Sequence, residues 1–141
     1  MNHDPYDLQR FIDAQAAVMP QVEAELRAGR KSSHWMWFVF PQMRGLGHSA
    51  MAQRYGITSL DEARAYLAHP VLGERLRGCC SLALAAQGGS AHDIFGSPDD
   101  SKFRSSLTLF SRAAPQETVF GDCLRKYYNG IEDTATLKLL K

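Results

Sequence analysis

With 141 residues, 45% of them hydrophobic and 22% charged, the chain is the size of one ordinary globular domain and too rich in apolar side chains to stay disordered. No apolar run approaches the roughly 18 residues of a membrane span, and the first ten residues, with Asp4, Asp7 and Arg10, lack the apolar centre of a signal peptide, so a cytoplasmic protein without a membrane partner is expected. The formal net charge is only +1, yet five of the 16 Lys and Arg residues (Arg27, Arg30, Lys31, Arg44 and Arg54) lie between Leu26 and Leu60, a stretch with no acidic residue.

Asp4-Pro5 pairs a capping side chain with a proline and predicts the start of a first helix. Leu8, Phe11, Ile12, Gln15, Met19, Val22 and Leu26 share one of its faces. Pro20 has no amide hydrogen and is expected to kink or divide this element, and Gly29 ends it in a left-handed cap. Gln15 stands on the apolar face, so it needs polar partners, either as a bridge between helices or as part of a polar pocket.

Arg30 to Gly47 reads two ways. Ser32 or Ser33 can cap a short helix running to Phe40 and stopped by Pro41, or Trp35, Trp37 and Val39 can alternate along a strand. Both faces are apolar, and the lack of an evident partner strand favours the helix. Gly45 and Gly47 mark a loop. Ser49 to Tyr55 is a short helix closed by Gly56, and Ser59-Leu60-Asp61-Glu62 has the form of a capping box.

His69-Pro70 turns the chain into a helix that buries Leu72, Leu76, Cys79, Cys80 and Ala83 and stops at Gly88-Gly89. Ser90 to Phe95 is a single turn. Ser97-Pro98-Asp99-Asp100 is the clearest helix start: a cap, a proline, then two acids at the positive end of the dipole. Phe103, Leu107, Phe110 and Ala114 line its inner face. Pro115 opens the next helix, which buries Val119, Phe120, Cys123, Leu124 and Tyr127 and ends at Gly130, and a last short helix covers Asp133 to Leu140. The reading is a single domain over 1–141, all-α, a compact orthogonal bundle of about six to seven short helices.

The three cysteines, Cys79, Cys80 and Cys123, fall in apolar helical patterns and read as buried thiols. His3, His34, His48, His69 and His92 form no metal-binding spacing, so neither a metal nor a cofactor is expected. Nucleophile elbow, Walker loop and dinucleotide fingerprint are all missing from the sequence. Chemistry therefore has two candidate locations. In the basic aromatic stretch, Lys31 suits a phosphate, Trp35 or Trp37 a planar group, Gln42 and Ser49 sugar hydroxyls, and His34 proton transfer. The alternative is that Trp35 to Phe40 are mostly core with the Arg and Lys on its solvated rim, which leaves the functional weight on Lys31 and His34. On the helix after Ser97, Asp99 and Lys102 recur at helical spacing with Ser105 and Ser106, as a base or ribose ligand and a phosphate ligand, or as an ordinary solvated face.

The run from Gly29 through Gln42, with Tyr55-Gly56-Ile57 and Tyr66-Leu67-Ala68-His69-Pro70, resembles the family known as domain of unknown function 1810. The resemblance extends from Asp4-Pro5-Tyr6-Asp7-Leu8 through Ile94-Phe95-Gly96-Ser97-Pro98-Asp99-Asp100 to Leu107-Thr108-Leu109-Phe110, nearly the full chain, and implies a mainly helical fold. The calpastatin label sometimes attached to such sequences implies a disordered, repetitive inhibitor, which this chain is not. The order of features is also similar to that of the NADAR family, small helical domains linked to ADP-ribose derivatives: an aromatic helix, Met51-Ala52-Gln53-Arg54, an alanine-rich helix, then Gly73-Glu74-Arg75-Leu76-Arg77. That similarity implies a ligand class and transfers no catalytic motif.

Two functions follow as expectations. The first is binding, with or without hydrolysis at a glycosidic bond, of an anionic nucleotide-like ligand by Lys31, Trp35, Trp37, Gln42, Ser49 and Lys102, with His34 and Asp99 dividing acid and base roles. The second is a non-enzymatic module that binds a protein or nucleic acid through the same basic aromatic segment.

Overall fold

A computed structural model describes residues 4–141. The order is α1 (Gln9–Ala16), α2 (Met19–Ala28), α3 (Met36–Val39), α4 (Ala50–Arg54), α5 (Leu60–Ala68), α6 (Leu72–Ala85), α7 (Ala91–Phe95), α8 (Asp99–Ala113), α9 (Val119–Tyr128) and α10 (Thr134–Leu139). The all-α class is as expected. The helices outnumber the six or seven expected because the short pieces α3, α4 and α7 each stand as a helix of four or five residues and the first element is divided into α1 and α2. Among the described residues the only β feature is an isolated parallel bridge between Met43 and Ile57, so the aromatic run is one helical turn and not a strand.

Local chemistry sets most boundaries. The Asp4 carboxylate accepts from the amides of Leu8 at 2.7 Å and Gln9 at 2.9 Å, so it caps from a distance and α1 begins later than Asp4-Pro5 suggests. Pro20 sits in the first turn of α2, where no amide donor is needed, and separates α2 from α1. Gly29, at φ 72°, closes α2 in the left-handed conformation. Ser59 caps α5 by accepting from the Glu62 amide, but Glu62 does not return the bond and turns elsewhere. Ser90 and Asp93 form the full reciprocal box on α7. Pro98, not Ser97, holds the N-cap position of α8, and no side chain caps it.

At the start of α6 a histidine does the work of a capping aspartate: His69 Nδ1 accepts from the amides of Val71 at 3.1 Å and Leu72 at 3.3 Å. His69→Ala is expected to cost about 1 kcal/mol in a thermal unfolding measurement, with His69→Asn recovering most of it, since asparagine offers an acceptor at similar reach.

The amphipathic helices pack around α8, which meets α3, α5, α7, α9 and α10, while α6 meets α2, α5 and α9. Phe103 on α8 is fully buried, its ring 4.6 Å from that of Phe95 and 4.8 Å from that of Phe40. These aromatic contacts seat the segment after α2 directly on α8. Gln15 is buried as a bridge: its Nε2 donates to the Phe38 carbonyl at 2.6 Å and the Tyr66 hydroxyl at 3.0 Å, and its Oε1 accepts from Arg75. The thiols are buried as expected, and burial pushes Cys79 up to about 12 and Cys80 well above the ordinary thiol range, which leaves them unreactive. No described helix is long and apolar enough to cross a membrane.

Candidate functional site

Three inward-facing carboxylates from outside the acid-free segment hold that segment in place. Glu25, at the end of α2, is the first. Its Oε1 accepts from the amides of Ser32 (2.8 Å) and Ser33 (3.1 Å) and from the Trp35 indole (3.0 Å), and its Oε2 accepts from the Ser33 hydroxyl at 2.6 Å. Burial alone would raise this carboxyl, but the bonds from Ser33, Ser32 and Trp35 outweigh it and hold the group down at about 2. Glu62, also buried, accepts from the Thr58 amide and hydroxyl and meets Arg10 at 2.9 Å. Asp99, in the first turn of α8, meets Lys31 Nζ at 2.8 Å and Lys102 Nζ at 3.4 Å.

This pinning decides where the residues expected at the site lie. Lys31 is only 7% exposed at its side chain and lies 5.1 Å from the Trp35 ring centre. Trp35 is 1% exposed, with its indole spent on Glu25, so its ring is part of the core and offers no surface for stacking. Trp37 is half-buried, and Lys102 Nζ stands 5.0 Å from its ring centre. Gln42 is buried and, with Trp37, Tyr55 and Lys102, lines a narrow crevice closed by Met36, Phe40 and Ala52. Its free volume of about 10 Å³ is at most one water, so a planar ligand would lie across the mouth, against Trp37. Ser49 is exposed and caps α4, accepting from the Ala52 amide at 3.1 Å. His34 is exposed and pairs with no carboxylate among the described residues.

Lys31, Asp99, Lys102, Trp35 and Trp37 are thus brought together, with Gln42 at the same crevice, and Asp99 is engaged by two ammonium groups. The polar face of α8 is solvated only in part: Asp99 and Lys102 are partly exposed, whereas Ser105 and Ser106 are buried, and Ser105 Oγ meets Asp133 at 3.1 Å. Glu25 escaped the sequence reading although a signal was there, because it follows Val22 by three positions and so falls on the buried face of α2.

A family model described as "Protein of unknown function (DUF1810)" matches residues 5–140. The crystal structure of the conserved hypothetical protein Rv1873 from Mycobacterium tuberculosis is similar at a TM-score of 0.96, with 58% sequence identity over 97% of this chain and 98% of that chain. No curated protein shows a significant match. The chain belongs to the DUF1810 family, whose all-helical fold it shares with the mycobacterial protein.

Proposed function

We propose that the chain binds an anionic, nucleotide-like ligand such as an ADP-ribose derivative, with the planar group on Trp37 and a phosphate on Lys102. The observation that carries this reading is the half-buried Trp37 ring with a lysine ammonium 5.0 Å from its centre at the mouth of an aromatic crevice. Asp99 fixes Lys102 at 3.4 Å and so restrains the ammonium before any ligand arrives. Lys31, Lys102 and Asp99 together carry one net positive charge, the sign a phosphate needs. Gln42 supplies an amide at the crevice wall. Trp35 and Lys31 support the site from within.

Binding is favoured over turnover. A glycosidic hydrolysis needs a carboxylate and a proton donor in one place, whereas Asp99 is committed to two lysines and His34 has no carboxylate partner among the described residues. Calorimetric titration with ADP-ribose, NAD and related nucleotides tests the reading. Saturable binding is expected, weakened about tenfold or more by Trp37→Ala, since stacking a base is worth roughly 1–3 kcal/mol, and weakened again by Lys102→Ala. No binding at millimolar concentration would overturn it.

A further inference from the structure

Two unpaired cations of the acid-free segment, Arg44 and Arg54, lie together away from this crevice. Lys31 is answered by Asp99, and Arg27 faces Glu23 at 3.9 Å. Among the described residues no carboxylate pairs with Arg44 or Arg54, and both line an open groove of about 440 Å³ that also takes in Arg10, Glu62 and Asp7. None of the residues lining this groove lines the Trp37 crevice.

Arg10 is a strut here and not a ligand-binding group. Its Nε donates to the Arg54 carbonyl, Nη1 to the carbonyls of Tyr6 and Asp7, and Nη2 to the Gly56 carbonyl and Glu62, which uses all five of its N–H bonds. Glu62 answers its charge at 2.9 Å. By holding the carbonyls of Arg54 and Gly56, Arg10 fixes the chain that carries the two free arginines.

Arg44 is placed further by its own Nε, which donates to the Gln53 carbonyl at 3.2 Å, and by its amide, which donates to the Ile57 carbonyl at 2.8 Å. Its terminal nitrogens have no partner among the described residues. Gly56 permits this arrangement, because a Cβ there would stand 2.7 Å from Arg44 Cβ and 2.9 Å from the Ala52 carbonyl. The Arg54 guanidinium lies 5.5 Å from the Tyr55 ring centre and has no hydrogen-bonding partner among the described residues. Two positioned guanidinium groups with free donors therefore border one cavity.

We infer that this groove binds a small phosphomonoester, with Arg44 and Arg54 on the phosphate oxygens and the Asp7 carboxylate accepting from a hydroxyl of the ester. Guanidinium forks match phosphate oxygens two at a time and are more weakly hydrated than ammonium groups. The groove carries a carboxylate as well as arginines, so it favours a phosphorylated polyol, whose hydroxyl can donate to Asp7, over a polyanion, whose further charges Asp7 would repel.

The experiment is an NMR titration of the labelled full chain with ribose 5-phosphate, following the arginine Nε–H signals. Those of Arg44 and Arg54 are expected to shift saturably. The R44A/R54A double variant, altered only at exposed side chains, is expected to lose at least about tenfold in affinity with its amide spectrum otherwise unchanged. Lys102→Ala should leave this binding as it is, which separates the groove from the Trp37 crevice. Asp7→Asn should weaken ribose 5-phosphate while strengthening inorganic phosphate. The inference is overturned if no saturable shift appears at millimolar concentration, or if the double variant binds as the wild type does.

Discussion

Glu25→Ala is expected to lower the stability of the fold by roughly 3–5 kcal/mol and its melting temperature by about 10 °C or more. The substitution leaves four donors without their acceptor: two backbone amides, the Ser33 hydroxyl and the indole of the buried Trp35. The indole is the most damaging of these, since Trp35 is 1% exposed and water cannot replace the carboxylate without opening the core. The same carboxyl makes stability depend on pH in one direction. It ionises near 4.5 in the open chain and at about 2 in the fold, so its contribution is complete above pH 4.5 and disappears as the pH falls from there toward 2. That contribution is roughly 3 kcal/mol. Urea denaturation at pH 7 and at pH 3 should show the wild type losing a large part of it, and Glu25→Gln, which cannot titrate, losing correspondingly less.

Arg10→Met is the second large effect, expected at about 3 kcal/mol in equilibrium urea denaturation. Arg10 ties four backbone carbonyls and Glu62 into one knot between the start of the chain and the loop after α4. Its loss leaves a carboxylate that is 3% exposed facing an apolar side chain. The double variant Arg10→Met/Glu62→Leu removes that stranded charge and is expected to be more stable than Arg10→Met alone. If the double variant is instead the less stable, the burial of Glu62 is not what makes Arg10 important.

The sequence makes the helices legible because short-range chemistry punctuates them. Pro20 and Gly29 bound α2, Ser59 opens α5, Ser90 and Asp93 open α7, and Asp133 caps α10, each within a few residues of its effect. The aromatic run resists the same reading because both of its faces are apolar. Its resolution into the single turn Met36–Val39, with Trp35 and Phe40 outside helical geometry, is set by contacts with Phe95 and Phe103 far along the chain. The site was legible in part. Charge and composition point to Lys31, Trp37 and Gln42, and helical spacing to Asp99 and Lys102; the fold brings these together, but spacing cannot tell that Asp99 takes Lys31 as its partner while His34 faces solvent. Trp35 lies in the core as the apolar run leads one to expect, but spacing cannot tell that its indole N–H is taken by Glu25.

The two tryptophans offer the most direct test of ligand binding at the Trp37 crevice, because they are two residues apart and differently exposed. Each has one indole N–H signal: that of Trp35 is locked on Glu25, and Trp37 sits half-buried beneath Lys102. On titration with ADP-ribose, the Trp37 indole signal is expected to shift saturably while that of Trp35 barely moves, and the Trp37 shift should weaken in Lys102→Ala. A Trp37 signal that stays fixed up to millimolar ADP-ribose, or one that shifts equally in Lys102→Ala, contradicts the assignment.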